Sequence, residues 1–295
     1  MAQNFYQLLE KRWAKNLFVC IGLDPDYAKI SETIRNACGK NLTKSEVVYQ
    51  FNQAIIDETI DIVLAYKPNI AFYESLGPDG LKALQRTIEY IKRINSDIPV
   101  ILDAKRADIG NTNKGYVTSI FDYYQADVVT VHPYLGAEAL KPFLEREDKG
   151  ILVLCRTSNL GAGEFQDLTV IKKTAQKPTV MPLYQYVANQ VATCWNKNKN
   201  CGVVVGGTCP EELAVVRGIV GDMPILIPGI GAQGGDMEAA VKAGKNSSGQ
   251  GIVINSSRGI IFASEEQDFA EVARRKTKEL NNQIVQCLKG GEIND

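Results

Sequence analysis

Eight short runs in this chain are almost wholly apolar and rich in β-branched residues: FVCIGL (18–23), IVLAYK (62–67), VILDA (100–104), DVVTV (127–131), ILVLC (151–155), GVVVG (202–206), ILIP (225–228) and GIVIN (251–255). A strand with one wet face alternates apolar with polar residues. Continuous apolar runs instead fit parallel strands covered on both faces. Between the runs, the spacing predicts helices over roughly 44–61, 79–95, 113–124, 137–147, 183–198, 210–219, 236–244 and 265–288. Eight strands, each followed by a helix, make the count of an α/β (β/α)8 TIM barrel. No linker divides the chain, so one barrel domain is expected over residues 1–295. A doubly wound sheet shares these local patterns and is the alternative. Two stretches lack periodicity: an extended loop over 156–182, after the fifth run, and the Gly/Ser-rich GKNSSGQG at 244–251.

A formal net charge of −1 leaves no basic face broad enough for nucleic acid or an anionic membrane, so any anion must be met locally. The early apolar run LFVCIGL (17–23) is too short to span a bilayer and lacks the layout of a secretion signal, and a cytoplasmic protein is expected. Seven cysteines without a CxxC pair, and a single histidine, His132, argue against a disulfide scaffold or a zinc site and for a reducing compartment.

If the barrel is right, the ends of the runs share one rim, where this architecture places its chemistry. They supply Asp24, Lys67, Asp103 with Lys105, His132, RTSN (156–159), GGT (206–208), PGIGAQGGD (228–236) and NSSRG (255–259). The third run is the most loaded, because VILDAKRADIGNT (100–112) carries Asp103, Lys105, Arg106 and Asp108 within six residues. On a regular strand, residues two apart face the same way, so Asp103 and Lys105 are expected to point together, with Asp108 beyond the turn. Lys67 can extend them to a four-membered array of alternating charge. The plainer alternative is a solvated loop whose ion pairs are incidental.

Gly229-Ile-Gly231-Ala-Gln-Gly234 matches a dinucleotide fingerprint, but it sits in the seventh unit, and Ile254 and Asn255 stand where an acidic residue would be needed. Glycines still let backbone N–H groups approach an anion at a helix start, and Arg258 in the next loop could clamp the same group. Together the two loops point to a monophosphate ligand.

Asp-x-Lys-x-x-Asp-Ile-Gly-Asn-Thr at 103–112, with GLDP (22–25), YKPN (66–69), PGIGAQGGD (228–236) and SRGI (257–260), resembles the orotidine 5'-phosphate decarboxylase family, in particular its longer bacterial branch. The resemblance covers nearly the whole chain. It implies a TIM barrel that converts orotidine 5'-phosphate to UMP without cofactor or metal. It also implies a homodimer with shared active sites, with a catalytic tetrad on Lys67, Asp103, Lys105 and Asp108, the last supplied by the neighbouring subunit. Substrate binding would fall to Asp24 on the ribose, Thr112 on the partner's ligand, Ser158 on the pyrimidine edge, and Gln233 with Arg258 on the phosphate. Residues 160–182 do not align with the shorter members.

The chemistry of the residues agrees with this implication. Decarboxylation at C6 of a pyrimidine leaves a carbanion, and no pyridoxal, thiamine or metal motif offers an electron sink. A pre-placed ammonium, Lys105, would have to carry the developing charge and return a proton. Other readings are a metal-dependent phosphosugar decarboxylase of the same superfamily, a Schiff-base aldolase using Lys67 or Lys105, and a non-catalytic UMP sensor.

Overall fold

In the computed structural model, which describes residues 4–172, 178–230 and 236–290, the eight apolar runs all form strands. They are β1 (Val19–Leu23), β2 (Ala65–Pro68), β3 (Ile101–Arg106), β4 (Val128–Val131), β5 (Gly150–Arg156), β8 (Cys201–Val205), β9 (Ile225–Pro228) and β10 (Ile252–Ser256). Neighbours run parallel in the order β2-β1-β10-β9-β8-β5-β4-β3. Parallel bridges Tyr66↔Val100 and Asn69↔Asp103 join the two end strands and close a (β/α)8 barrel. Both faces are dry because the β-branched side chains pack inward against one another and outward against the helices.

The helical ring also closes on itself. The helix Lys44–Thr59 starts at a capping box between Thr43 and Glu46, and its Phe51 ring stacks on Phe262 and Phe269 at centroid distances of 5.6 and 5.1 Å. Phe269 opens the last helix, Phe269–Leu288, so this aromatic stack joins the first and last (β/α) units. Burial of a side chain this size stabilises by roughly 2–3 kcal/mol.

Three features depart from the sequence pattern. The second strand begins at Ala65 rather than Ile62, because Val63 and Leu64 are buried in the turn below it, where Arg12 Nε donates to the Val63 carbonyl at 2.8 Å. A helix the pattern does not announce, Phe5–Trp13, covers the N-terminal ends of the strands, with Phe5, Leu9 and Trp13 buried and Trp13 Nε1 donating to the Ile252 carbonyl at 2.9 Å. The expected irregular loop over 156–182 has structure of its own: a 3-10 turn Leu160–Ala162, a short helix Gly163–Gln166, and an antiparallel hairpin of β6 (Thr169–Lys172) with β7 (Thr179–Pro182). Its β-branched residues, Ile171 and Val180, pair across the hairpin while exposed, so strand propensity and pairing order this segment more than burial does.

Candidate active site

Two adjoining cavities of about 310 and 510 Å³ open at the C-terminal ends of the strands and share Lys67, Asp103 and Pro228. The first is lined by Asp24, Asn69, Asn255, Ser257 and Arg258, among others, and the second by Lys105, Thr130, Ser158 and Gln166. A ligand lying across both would have its middle over the charged pair.

The centre is Asp103. Its Oδ2 accepts from Lys67 Nζ at 3.0 Å, and its Oδ1 accepts from Lys105 Nζ at 2.7 Å and from the Thr130 hydroxyl at 2.8 Å. Asp103 and Lys67 are buried, whereas the Lys105 side chain is half exposed and faces the second cavity. Burial alone would raise the Asp103 carboxyl, but Lys67 and Lys105 outweigh it and hold the group well below the usual carboxylate range. Burial would likewise lower Lys67, and Asp103 and Asp24 reverse that, raising it above an ordinary lysine.

The array does not arise from simple alternation along β3. Leu102 pairs with Val129 and Arg106 with Val131, so the ladder is interrupted between them, and Lys105 lies in the left-handed region at φ 47°. That conformation costs a non-glycine residue about 1 kcal/mol. A bulge therefore aims Lys105, replacing the regular pleat that the spacing implied.

Asp24 follows β1, with Oδ1 4.0 Å from Lys67 Nζ and no hydrogen bond to it among the described residues. Gly22 makes this corner possible, since a Cβ there would lie 1.8 Å from Ser257 Oγ. Ser158 approaches Gly206 so closely that a Cβ on the glycine would lie 2.8 Å from the serine Cβ. Around Ser158, Gln166 accepts from the Thr157 N–H at 2.9 Å and donates to the Thr157 hydroxyl at 2.8 Å, tying the loop after β5 to the short helix. Arg258 opens the short helix after β10, is exposed, and pairs with no carboxylate among the described residues. Gln233 lies outside the described residues.

Asp108 and Thr112 are not brought to the cavities. The Asp108 carboxylate accepts from the Ile109 N–H at 2.6 Å, and Thr112 is exposed on the following helix, Gly110–Val117. Asn113, fully buried, fixes this segment, accepting from the Asp108 N–H at 2.8 Å and donating to the carbonyls of Asp108 and Ala139. His132, despite its place at a strand end, sits by the Ala107 carbonyl at 3.2 Å and lines neither cavity. The sequence assigns no site role to Asn69, Thr130, Gln166 or Asn255, although Asn69 stands in YKPN and Asn255 in NSSRG at the same rim.

The charge pair makes stability depend on pH in a signed way. Because Asp103 is depressed, its contribution is complete above an ordinary carboxylate pKa of about 3.9 and is lost as pH falls through the depressed value. Because Lys67 is raised, its contribution is complete below about 10.4 and is lost as pH rises through the raised value. Between about pH 4 and 2, the urea midpoint should therefore fall more steeply for the parent protein than for Asp103→Asn. Equal slopes would contradict the pairing.

The model of the orotidine 5'-phosphate decarboxylase / HUMPS family matches residues 18–273. The orotidine 5'-phosphate decarboxylase of Cellvibrio japonicus is 47% identical over 282 residues, covering 95% of this chain and 98% of that protein. That of Ralstonia pickettii is 44% identical over 283 residues, covering 96% and 98%. Among solved structures, the OMP decarboxylase of Leishmania donovani superposes with a TM-score of 0.80 at 34% identity, covering 97% of this chain and 99% of that one.

Proposed function

Because the chain belongs to the orotidine 5'-phosphate decarboxylase / HUMPS family, we infer that it is a carboxy-lyase converting orotidine 5'-phosphate to UMP and CO2, a step of pyrimidine biosynthesis. The observation that carries the mechanism is the Asp103 carboxylate held between two ammonium groups, at 3.0 Å from Lys67 and 2.7 Å from Lys105. In the reaction the bond from C6 to the carboxylate breaks, its electron pair stays on C6, and a C6–H bond forms. The ring delocalises that carbanion poorly, so fixed charge must stabilise it.

Lys105, the more exposed of the two lysines, takes the position facing C6: its ammonium stabilises the carbanion and then donates the proton. Lys67 is buried and keeps Asp103 ionised. Asp103 faces the departing carboxylate, and their repulsion is relieved when CO2 leaves. Asp24, with an acceptor oxygen unbonded among the described residues, takes a ribose hydroxyl, and Ser158 reads the pyrimidine edge from the second cavity. Arg258 holds the phosphate with Gln233, and binding at this remote group offsets the cost of crowding like charges at the carboxylate.

Asp108 and Thr112 are assigned to the site of a second subunit. Neither residue lines either cavity of its own chain, which supports this, as do the exposed apolar side chains of Ile109 and of Tyr134 and Leu135, which lead into the helix Gly136–Leu144 packed against Gly110–Val117. The working unit is then a homodimer. A cytoplasmic location fits the seven free cysteines, and no helix among the described residues is long and apolar enough to cross a membrane.

The direct test is the loss of orotidine 5'-phosphate absorbance on adding the protein, in the presence of a chelator and with no cofactor. Absence of turnover would overturn the reading. In the same assay Arg258→Ala should lower kcat/KM by about 10²-fold, mostly through substrate capture, as expected for a lost charge-assisted contact. Phosphite dianion should accelerate turnover of the phosphate-free nucleoside by the parent enzyme. No response to phosphite would separate the loop after β10 from phosphate-driven catalysis.

A further inference from the structure

A polar residue stands at position 130, within the otherwise all-valine strand β4. Thr130 is buried at 1% exposure in β4, where its flanking residues Val129 and Val131 are fully buried. Its hydroxyl does two things at once. It donates to Asp103 Oδ1 at 2.8 Å and accepts from the Lys105 backbone N–H at 3.0 Å. These contacts fall where the β3–β4 ladder is interrupted, between Leu102↔Val129 and Arg106↔Val131. The Thr130 side chain thus takes the Lys105 N–H that the interrupted ladder leaves over, at the residue whose φ is 47°.

We propose that Thr130 is a positioning residue for decarboxylation, which locks the left-handed backbone of Lys105 to the carboxylate of Asp103 and so fixes where the Lys105 ammonium stands. The inference rests on the catalytic reading of Lys105 given above. Lys67 cannot substitute, because it reaches only the other carboxylate oxygen, Oδ2. The ion pair to Asp103 Oδ1 at 2.7 Å does not by itself fix the ammonium, since the Lys105 side chain is half exposed and carries several rotatable bonds. A backbone anchored at one atom leaves the ammonium less room to drift, and a misplacement of about 1 Å at a reacting centre can cost about 10²-fold in rate.

The experiment compares Thr130→Val, which keeps the shape and removes donor and acceptor, with Thr130→Ser, which keeps the hydroxyl and removes the methyl. Thr130→Cys accompanies them, matching serine in shape with a much weaker hydrogen-bonding group. Expected are a fall in kcat of about 10²-fold for Val, a change in KM and in UMP affinity within about threefold, and recovery by Ser to within about fivefold of the parent. If Val does not fold, the Ser–Cys pair decides, with Cys expected at least about tenfold below Ser in kcat.

Equal kcat for Ser and Cys, or a Val variant within threefold of the parent, would overturn the inference. So would a loss confined to KM, which would place Thr130 in substrate binding. An inactive parent would instead strike at the decarboxylase reading, so the two failures are distinguishable.

Discussion

Lys105→Ala is expected to lower kcat by at least about 10³-fold while UMP affinity stays within about tenfold of the parent. The ammonium acts on charge that exists only once the bond to CO2 is breaking, so its removal is felt in the transition state far more than in the ground state. UMP is the right probe because it lacks the carboxylate. Binding of orotidine 5'-phosphate would mix the loss of the cation with altered repulsion from Asp103. The substitution leaves the backbone requirement unchanged, since alanine and lysine carry the same Cβ into the left-handed region. Asp103 also keeps two donors, Lys67 and Thr130, so the buried carboxylate is not stranded. Turnover within tenfold of the parent, from stopped-flow and steady-state absorbance, would remove Lys105 from the chemistry.

Co-expressed Lys105→Ala and Asp108→Asn chains should rescue one another, although each homodimer is nearly inactive. In the mixed dimer, the site built on the Asp108→Asn chain has its own Lys105 and receives Asp108 from the other chain, so it is whole. The opposite site carries both lesions. Random pairing makes about half the dimers mixed, giving about a quarter of parental activity in the mixture and about half in the purified mixed species under two-fold symmetry. The structure makes this test clean, because Asp108 lines neither cavity of its own chain and Asn113 holds its segment in a defined shape. If Asp108 served its own chain, every mixed site would retain one lesion. Two-tag purification followed by a rate near that of the homodimers would rule out the shared site.

Much of the barrel is legible in the sequence, because a strand buried on both faces must be apolar throughout. Only the local pattern is needed to see β1, β8 or β10. The same logic hid the helix Phe5–Trp13, whose apolar residues form a plug under the strands that no local period announces. It also hid the hairpin 169–172 with 179–182, which is exposed and held by pairing. At the site, Asp24, Lys67, Asp103, Lys105, Ser158 and Arg258 could be named from their places at run ends, and all six line the two cavities. Charge at the end of a buried strand is costly enough to stand out in a sequence. Thr130 could not be named, since a threonine among valines reads as one more β-branched strand former.

What the sequence determined by itself is therefore the set of strands, their parallel class, and the identities of the charged groups at one rim, all of which follow from local composition. Which carboxylate oxygen meets which ammonium was decided only in three dimensions. The interrupted β3–β4 register and the left-handed Lys105 accompany those contacts, and the Lys105 N–H there meets a hydroxyl from a neighbouring strand 25 residues away along the chain. The physical reason is one of range. Burial is encoded residue by residue, whereas the direction of a side chain at a bulge is fixed by hydrogen bonds between segments that meet only when the barrel closes.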